Sequence, residues 1–566
     1  MQPVEPFLHT PRIAYFTMEI ALRSEIPTYA GGLGVLAGDT MRTAADMDMP
    51  MVAVSLVSRA GYFQQSIDNE GQQLESPQAW DPAQWATKVE AMIAVDLGSR
   101  VVWVGGWLYI MQSQTGGRQP VILLDTDLSE NSAEDRTITH YLYGGDERYR
   151  FKQEAILGIG GLRMLQALGF EIRQYHLNEG HSALLGIELL RRYAFPAEDL
   201  RAGESAYDIP RVREVCNFTT HTPIEAGHDK FSYELVEEVI DDIIDKPVLH
   251  RLGGEDRLNM TLLALNLSEY VNGVAKRHAE VSSKMFPGYR VRSVTNGVHP
   301  ATWTHESFAK LYDTHLAGWC HEPEILVRAD HAISHDALWQ AHLDAKQTLI
   351  DYLSQHSNQQ FDPTVATLGF ARRMTAYKRP DLLFTDLDRL KAMTKAFPLQ
   401  LVIAGKAHPR DEVGKALIKE IHNVAKNLND DIRMVFLPDY NMDLAKLLIA
   451  GVDVWLNTPL RPLEASGTSG MKATFNGVPN LSILDGWWVE GCVEGITGWA
   501  IGDGPEGSNI GDALALYDKL EQVVLPLYYQ DRSGWIDVMK GAIAKNASYF
   551  NSHRMMRRYA AEAYIR

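Results

Sequence analysis

Val452-Asp453-Val454-Trp455-Leu456-Asn457, running on to Glu464-Ala465-Ser466-Gly467-Thr468-Ser469-Gly470-Met471-Lys472-Ala473-Thr474-Phe475-Asn476-Gly477, decides how this chain is read. The first six residues are apolar at alternate positions and β-branched in part, which predicts a strand. The second block is a loop of small residues entering a short helix with one lysine, so the loop stands at the strand's C-terminal edge. There the glycines let a phosphorylated group approach the backbone, and a helix start offers free N–H groups and a positive dipole end. Lys472 lies in an otherwise small, apolar segment, where partial burial lowers an amine's pKa and makes it usable for a Schiff base. The same residues also fit a plain glycine-rich turn with a surface lysine, and spacing alone leaves both open.

Upstream of this block the pattern alternates. Strands are predicted at 365–370, 400–404, 432–436 and 452–456, with helices at 379–397, 413–428 and 444–449 between them. Pro380 stands at the start of the first helix. This βαβαβ order implies a parallel sheet with right-handed crossovers. Between its first strand and helix lies Arg372-Arg373-Met374-Thr375-Ala376-Tyr377-Lys378-Arg379, four cations in eight residues at a strand's C-terminal end. Arginine forks and a lysine point charge suit two neighbouring anions; a solvated basic patch is the plainer alternative.

The N-terminal half alternates less regularly. Strands are predicted at 13–16, 51–57, 101–110 and 121–124, a helix at 152–168, and an irregular aromatic stretch at 62–85. Gly31-Gly32-Leu33-Gly34 opens a helix but lacks dinucleotide spacing and a Walker lysine. Three further strands end in polar tips: 174–178 in Glu179-Gly180-His181, 215–220 in His221-Thr222-Pro223, and 291–294 in Thr295-Asn296-Gly297-Val298-His299. Ligands of open α/β sheets bind beyond the carboxyl ends of strands, so three such tips point to one cleft. Helical sequence at 305–358 joins the halves. A last helix at 535–565 either caps the second half or crosses back to the first.

At 566 residues the chain exceeds one core and suits two α/β domains of about 250 residues each. A net charge of −18 argues against a general nucleic-acid surface, so any phosphate site is local. The three cysteines, Cys216, Cys320 and Cys492, lack metal spacing, and no metal site is expected. The N-terminus lacks a charged, apolar leader, and 101–110 is too short to span a bilayer; a cytoplasmic enzyme is expected, with no membrane partner.

Glu464-Ala465-Ser466-Gly467-Thr468-x-x-Met471-Lys472 resembles the pyridoxal-phosphate site of the α-glucan (glycogen, starch, maltodextrin) phosphorylases. Tyr377-Lys378-Arg379 after Arg373, Gly31-Gly32-Leu33-Gly34, Leu177-Asn178-x-x-His181, His221-Thr222 and Thr295-Asn296-Gly297 follow the family's order from about residue 12 to residue 500. The chain is identified as a short-form member. The resemblance implies a GT-B architecture of two Rossmann-like lobes: 1–300 binding glucan, 301–545 binding cofactor and phosphate, and a terminal helix at 546–566.

The resemblance implies that Lys472 forms the Schiff base with pyridoxal 5′-phosphate. The cofactor's phosphate is then held by Arg372, Lys378, Thr468, Ser469 and the Gly32 backbone, with Tyr440 beside the cofactor. Arg373 and Lys378, with the Gly34 region, grip the substrate phosphate. His221, Asn296, Glu464, Ser466 and Gly467 hold the reacting glucose, with Gly32, Leu33, His181 and Ala465 alongside. Lys378, Arg373, His221 and Lys472 form the implied catalytic set. The implied reaction is phosphorolysis of an α-1,4-glucan end to α-glucose 1-phosphate with retention, the cofactor's 5′-phosphate serving as proton donor and electrostatic partner.

There are departures from the family's pattern. Ser469-Gly470 stands for Gly-Asn, Met374-Thr375-Ala376 for Ile-His-Glu, and Leu177-Asn178-Glu179-Gly180-His181 for Leu-Asn-Asp-Thr-His. The long regulatory region of the animal enzymes is not seen, so their phosphorylation and nucleotide control are not expected. Rival readings are a nucleotide-sugar-dependent α-glucan synthase, a catalytically silent glucan-binding protein, and pyridoxal-phosphate chemistry on amino acids. The synthases carry Glu-x7-Glu where this chain has Glu464-x7-Lys472, and a lysine cannot accept ribose hydroxyls as a carboxylate does. Glucan length, direction, allosteric control and assembly into a homo-oligomer stay open. Trp487 and Trp488, after Asp485-Gly486, fit either the border of a sugar path or, better, buried packing, and their role stays open.

Overall fold

The computed structural model describes residues 4–565 except 202, 241, 242, 358, 429, 430, 503 and 505–507. Two sheets organise the chain. In the first, parallel strands run in the order Arg292–Ser293, Tyr270–Gly273, Cys216–Thr219, Gln174–Asn178, Ile13–Thr17, Met51–Leu56 and Arg118–Asp125. Arg100–Gln112 then joins antiparallel, carrying Thr87–Lys88 and Ile93–Leu97. The second sheet is parallel throughout, in the order Arg433–Leu437, Leu399–Ala404, Ala366–Ala371, Val454–Asn457, Asn480–Ile483, Gly498–Ile501. Every residue of Ile13–Thr17, Met51–Leu56, Ala366–Ala371 and Leu399–Ala404 is buried, as parallel strands covered on both faces require. The mixed α/β chain with its parallel sheets has the GT-B architecture.

The helix His335–His356, capped by Ser334, lays Leu338, Ala341, Ala345, Leu349 and Leu353 against the second core. It also carries His342 and Lys346 to a buried carboxylate. Asp453 accepts from His342 Nε2 at 2.8 Å, Lys346 Nζ at 2.6 Å and the Thr367 N–H at 2.7 Å.

Three expectations need correction. The segment 379–397 is not one helix: Arg379 adopts a left-handed φ of 45°, a short 3-10 turn covers Leu382–Phe384, and the helix is Leu387–Ala396, capped by Asp386. The stretch 62–85 contains a hairpin, Gln64–Ile67 with Gln73–Ser76. That hairpin reaches the second sheet's half, where Gln65 donates to the Gly405 carbonyl at 3.0 Å. Gln73 exchanges bonds with the Ala407 carbonyl (2.9 Å) and N–H (3.0 Å). Finally, the terminal helix is broken. Arg532–Gly541 packs in the second core through Trp535 and Met539. After Asn551, Ser552–Tyr559 lies on the first sheet's helix layer, with Met555, Met556 and Tyr559 beside Tyr15 and Leu36.

Candidate active site

Lys472 comes from the helix Thr468–Thr474, which begins after Gly467 in a left-handed turn, φ 88°. A Cβ on Gly470 would stand 2.3 Å from Asn480 Oδ1 and 2.9 Å from the Trp487 ring, so the lysine's helix can approach strand and indole only with glycine there. Trp487 and Trp488 are both buried. Lys472 is 7% exposed, and its Nζ lies 4.0 Å from the centre of the Trp303 ring. Behind that ring, Trp303 Nε1 donates to Asp39 at 2.7 Å; Asp39 also accepts the His299 N–H at 3.1 Å. Burial pushes the Lys472 amine down to about 8, Asp39 raising it and Arg42 lowering it further. Among the described residues its Nζ has no hydrogen-bond or ion-pair partner.

The strand Ala366–Ala371 delivers the cations. Arg372 donates from Nη1 to Asn457 Oδ1 at 3.1 Å and from Nη2 to Glu464, and Lys378 Nζ donates to the same Glu464 Oε2 at 2.7 Å. Burial alone would raise the Glu464 pKa, but Arg372 and Lys378 bring it down to about 2. Asp485 holds the Glu464 N–H at 2.8 Å, and its own carboxyl is pushed up to about 6, mainly by burial. Arg372 Nε is buried and has no partner among the described residues. Burial pushes the Tyr440 phenol well above its usual range, against the pull of Arg372. Ser469 Oγ accepts from Trp455 Nε1 at 3.1 Å, while Thr468 stands at the start of the helix. The fourth cation of the run does not join: Arg379 turns to the Thr458 carbonyl and to Asp512.

Arg373 faces the first sheet's half. Its Nη2 lies 3.2 Å from where a Gly31 Cβ would stand. The turn at Gly31–Gly34 is held by Glu19, which accepts the Ala30 N–H at 2.6 Å, the Gly31 N–H at 3.1 Å and the Tyr143 hydroxyl at 3.1 Å. A Cβ on Gly34 would strike Glu19 Oε2 at 2.6 Å, whereas one on Gly32 would meet nothing within 4 Å. Gly34 is therefore needed for packing, and the exposed Gly32 presents open backbone. Leu33 between them is half-buried.

The three polar tips differ. His221 is fixed twice, its N–H on Glu179 at 2.7 Å and its Nε2 against Asn178 Oδ1 at 2.6 Å; burial drives its pKa down to about 3. Glu179 adopts φ 73° to reach it. His181 turns to Asp229, 3.4 Å away, and is also held neutral by burial at about 3. Asn296 crosses to the other half: its Nδ2 donates to Ser466 Oγ at 3.1 Å while its Oδ1 is buried and has no partner among the described residues. Ala465 and Gly467 flank that serine.

These residues fit a phosphate-bearing aldehyde. An unpaired, partly neutral amine over a flat indole suits an imine to an aromatic ring, and Arg372 with Lys378 suits its phosphate. Sequence reading named Glu179 only as part of a polar tip and missed Glu19, Asp39, Trp303 and Asp485; these residues hold the named ones in place. Only Asp485-Gly486, beside the two tryptophans, carried a local turn signal.

Residues 169–494 match the family model described as carbohydrate phosphorylase. The chain is 39% identical to a maltodextrin phosphorylase of Thermococcus litoralis, over 98% of this chain and 70% of that protein. It is 37% identical to a glycogen phosphorylase of Mycobacterium tuberculosis over the same shares. A third relative, an uncharacterised protein of Methanocaldococcus jannaschii, is 30% identical over 97% of this chain and 99% of its own. No helix among the described residues is long and apolar enough to cross a membrane. The chain belongs to the carbohydrate phosphorylase family.

Proposed function

We propose that this chain cleaves α-1,4-glucan at its non-reducing end with inorganic phosphate, releasing α-glucose 1-phosphate with retention, and that pyridoxal 5′-phosphate is its cofactor on Lys472. The observation that carries this reading is the Lys472 amine, unpaired among the described residues, on the helix that follows the loop whose first residue, Glu464, gathers Arg372 and Lys378. The relatives' names, maltodextrin and glycogen phosphorylase, support the substrate class.

When bound, pyridoxal 5′-phosphate supplies a phosphate group that acts as proton donor and electrostatic partner. The chain's own residues do the rest. Arg372 and Lys378 hold the cofactor phosphate, and a buried cation pair keeps two neighbouring anions from repelling each other. Arg373 reaches from the second half to the turn at Gly31 and, with Lys378 and the Gly34 region, grips the substrate phosphate. Asn296 through its free Oδ1, Ser466, Gly467 and Glu464 orient the glucose. His221, held neutral, offers ring and main chain to the sugar. Substrate phosphate gives its proton to the departing glycosidic oxygen, the bond to C1 breaks, and a phosphate oxygen bonds to C1 from the same face. Retention follows because phosphate sits on the leaving group's side.

Glu464 and Lys472 stand where nucleotide-sugar synthases keep two carboxylates. The test is incubation of purified protein with maltodextrin, with and without orthophosphate, and separately with ADP-glucose. Glucose 1-phosphate formed only with orthophosphate supports the reading; glucan extension from ADP-glucose would overturn it.

A further inference from the structure

Asn296 has one amide end on Ser466 and the other buried and unpartnered, so the direction of its side chain decides whether it can serve a sugar hydroxyl. That direction is set by the two peptide planes around it, and both are pinned from the far end of the chain. Arg554 donates from Nη1 to the Thr295 carbonyl at 2.7 Å and from Nη2 to the Asn296 carbonyl at 2.9 Å. The guanidinium is itself anchored: its Nε donates to the Tyr549 carbonyl at 2.9 Å, and it lies 4.7 Å from the centre of the Tyr549 ring. From the other side Thr295 Oγ1 donates to Glu490 at 2.9 Å, and Glu490 also accepts the Lys276 N–H at 2.9 Å. The contact is close along its length: Val298 N–H donates to the Phe550 carbonyl at 3.1 Å, Ser552 N–H to the Val298 carbonyl at 2.9 Å, and a Cβ on Gly297 would fall 2.1 Å from the Asn551 carbonyl oxygen.

A planar fork fixed at three nitrogens can hold two successive carbonyls in one orientation, which a lysine ammonium cannot. We propose that Arg554 is a positioning residue for the sugar: it locks the Thr295–Asn296 turn so that the Asn296 amide meets the reacting glucose, making the segment 549–554 part of the sugar site. This rests on the proposed phosphorolysis for the identity of the sugar.

The test uses the full chain with cofactor and two variants, Arg554→Met and Arg554→Lys. Both are expected to raise KM for glucose 1-phosphate and weaken maltoheptaose binding by calorimetry about tenfold, the scale of losing hydrogen bonds from a charged group. KM for orthophosphate and the cofactor's absorbance stay within about twofold of wild type. Added guanidinium ion restores part of the sugar affinity of Arg554→Met. Glu490→Gln, weakening the opposite brace, shifts the sugar KM the same way by less. Unchanged sugar affinity in folded Arg554→Lys would overturn the proposal, as would parallel loss of sugar, phosphate and cofactor binding, which marks a merely structural role. If wild type makes no glucose 1-phosphate, the functional reading fails, while the maltoheptaose comparison still decides the role of Arg554.

Discussion

The cluster of Arg372, Lys378 and Glu464 and the junction of Asn296, Ser466, Glu490 and Arg554 are both buried polar arrangements, yet they are assembled differently. The cluster lies within one βα half, its partners at most 92 positions apart and each at or just beyond a strand's C-terminal end. The junction draws on four separate segments, with Arg554 meeting a carbonyl 259 positions away. In the cluster, opposite charges fix each other, while Lys472 on the same segment as Glu464 has no partner among the described residues; in the junction, neutral carbonyls are held in place by one guanidinium. Charge clusters of this kind prepare anion binding, whereas braced turns prepare orientation.

This contrast sets the order of expected effects. Lys472→Ala removes the amine that anchors the cofactor, so activity falls by at least on the order of 10³ and no cofactor is retained through gel filtration; a steady-state assay with an absorbance scan reads both. Glu464→Gln leaves Arg372 and Lys378 facing each other without their shared carboxylate, and kcat/KM is expected to fall about 10²-fold. The Arg554 variants follow at about tenfold, confined to sugar terms. A pH series sharpens the cluster side. With the folded amine of Lys472 at about 8 and an unfolded lysine near 10.4, chain stripped of cofactor recaptures it faster as pH rises, with a midpoint at about 8. The unfolded chain binds the extra proton between those values, so this group's contribution to stability rises over the same window.

A separate buried ion pair, Asp453 with Lys346, serves as the control for both. Asp453→Asn leaves Lys346 charged and uncompensated, which costs about 3–5 kcal/mol of stability in a denaturant melt while KM values of the surviving protein stay within about twofold. Against burial, Lys346 and the hydrogen bond from His342 hold the Asp453 carboxyl down at about 2. Its contribution is therefore present above the unfolded value of about 3.9 and is lost as pH falls through about 2.

The same contrast explains what the sequence made legible. Four of the six strands of the second sheet and the run Arg372 to Lys378 announce themselves through local periodicity and charge density, whereas Asn480–Ile483 and Gly498–Ile501 escaped the sequence reading. Glycines at 31, 32 and 34 are visible too, but not that Gly34 serves Glu19 while Gly32 stays open. The hairpin at Gln64–Ser76 escaped because its strands are short and polar and gain their partners from the other half of the molecule. Arg379 reads as one of four equivalent cations, and only its left-handed backbone turns it away to Asp512. Arg554 sits in a basic, aromatic tail that looks like any solvated helix end. Its role exists only once the chain crosses back over itself.

The central claim is that Lys472 carries pyridoxal 5′-phosphate in a site that uses orthophosphate on glucan. Purified protein reduced with borohydride, digested and analysed by mass spectrometry tests it most directly, alongside glucose 1-phosphate release from maltodextrin before and after reconstitution with the cofactor. The account predicts a phosphopyridoxyl label on the peptide containing Lys472 and orthophosphate-dependent release that tracks cofactor content. Label on another lysine, or full release from protein with no label at all, would contradict it.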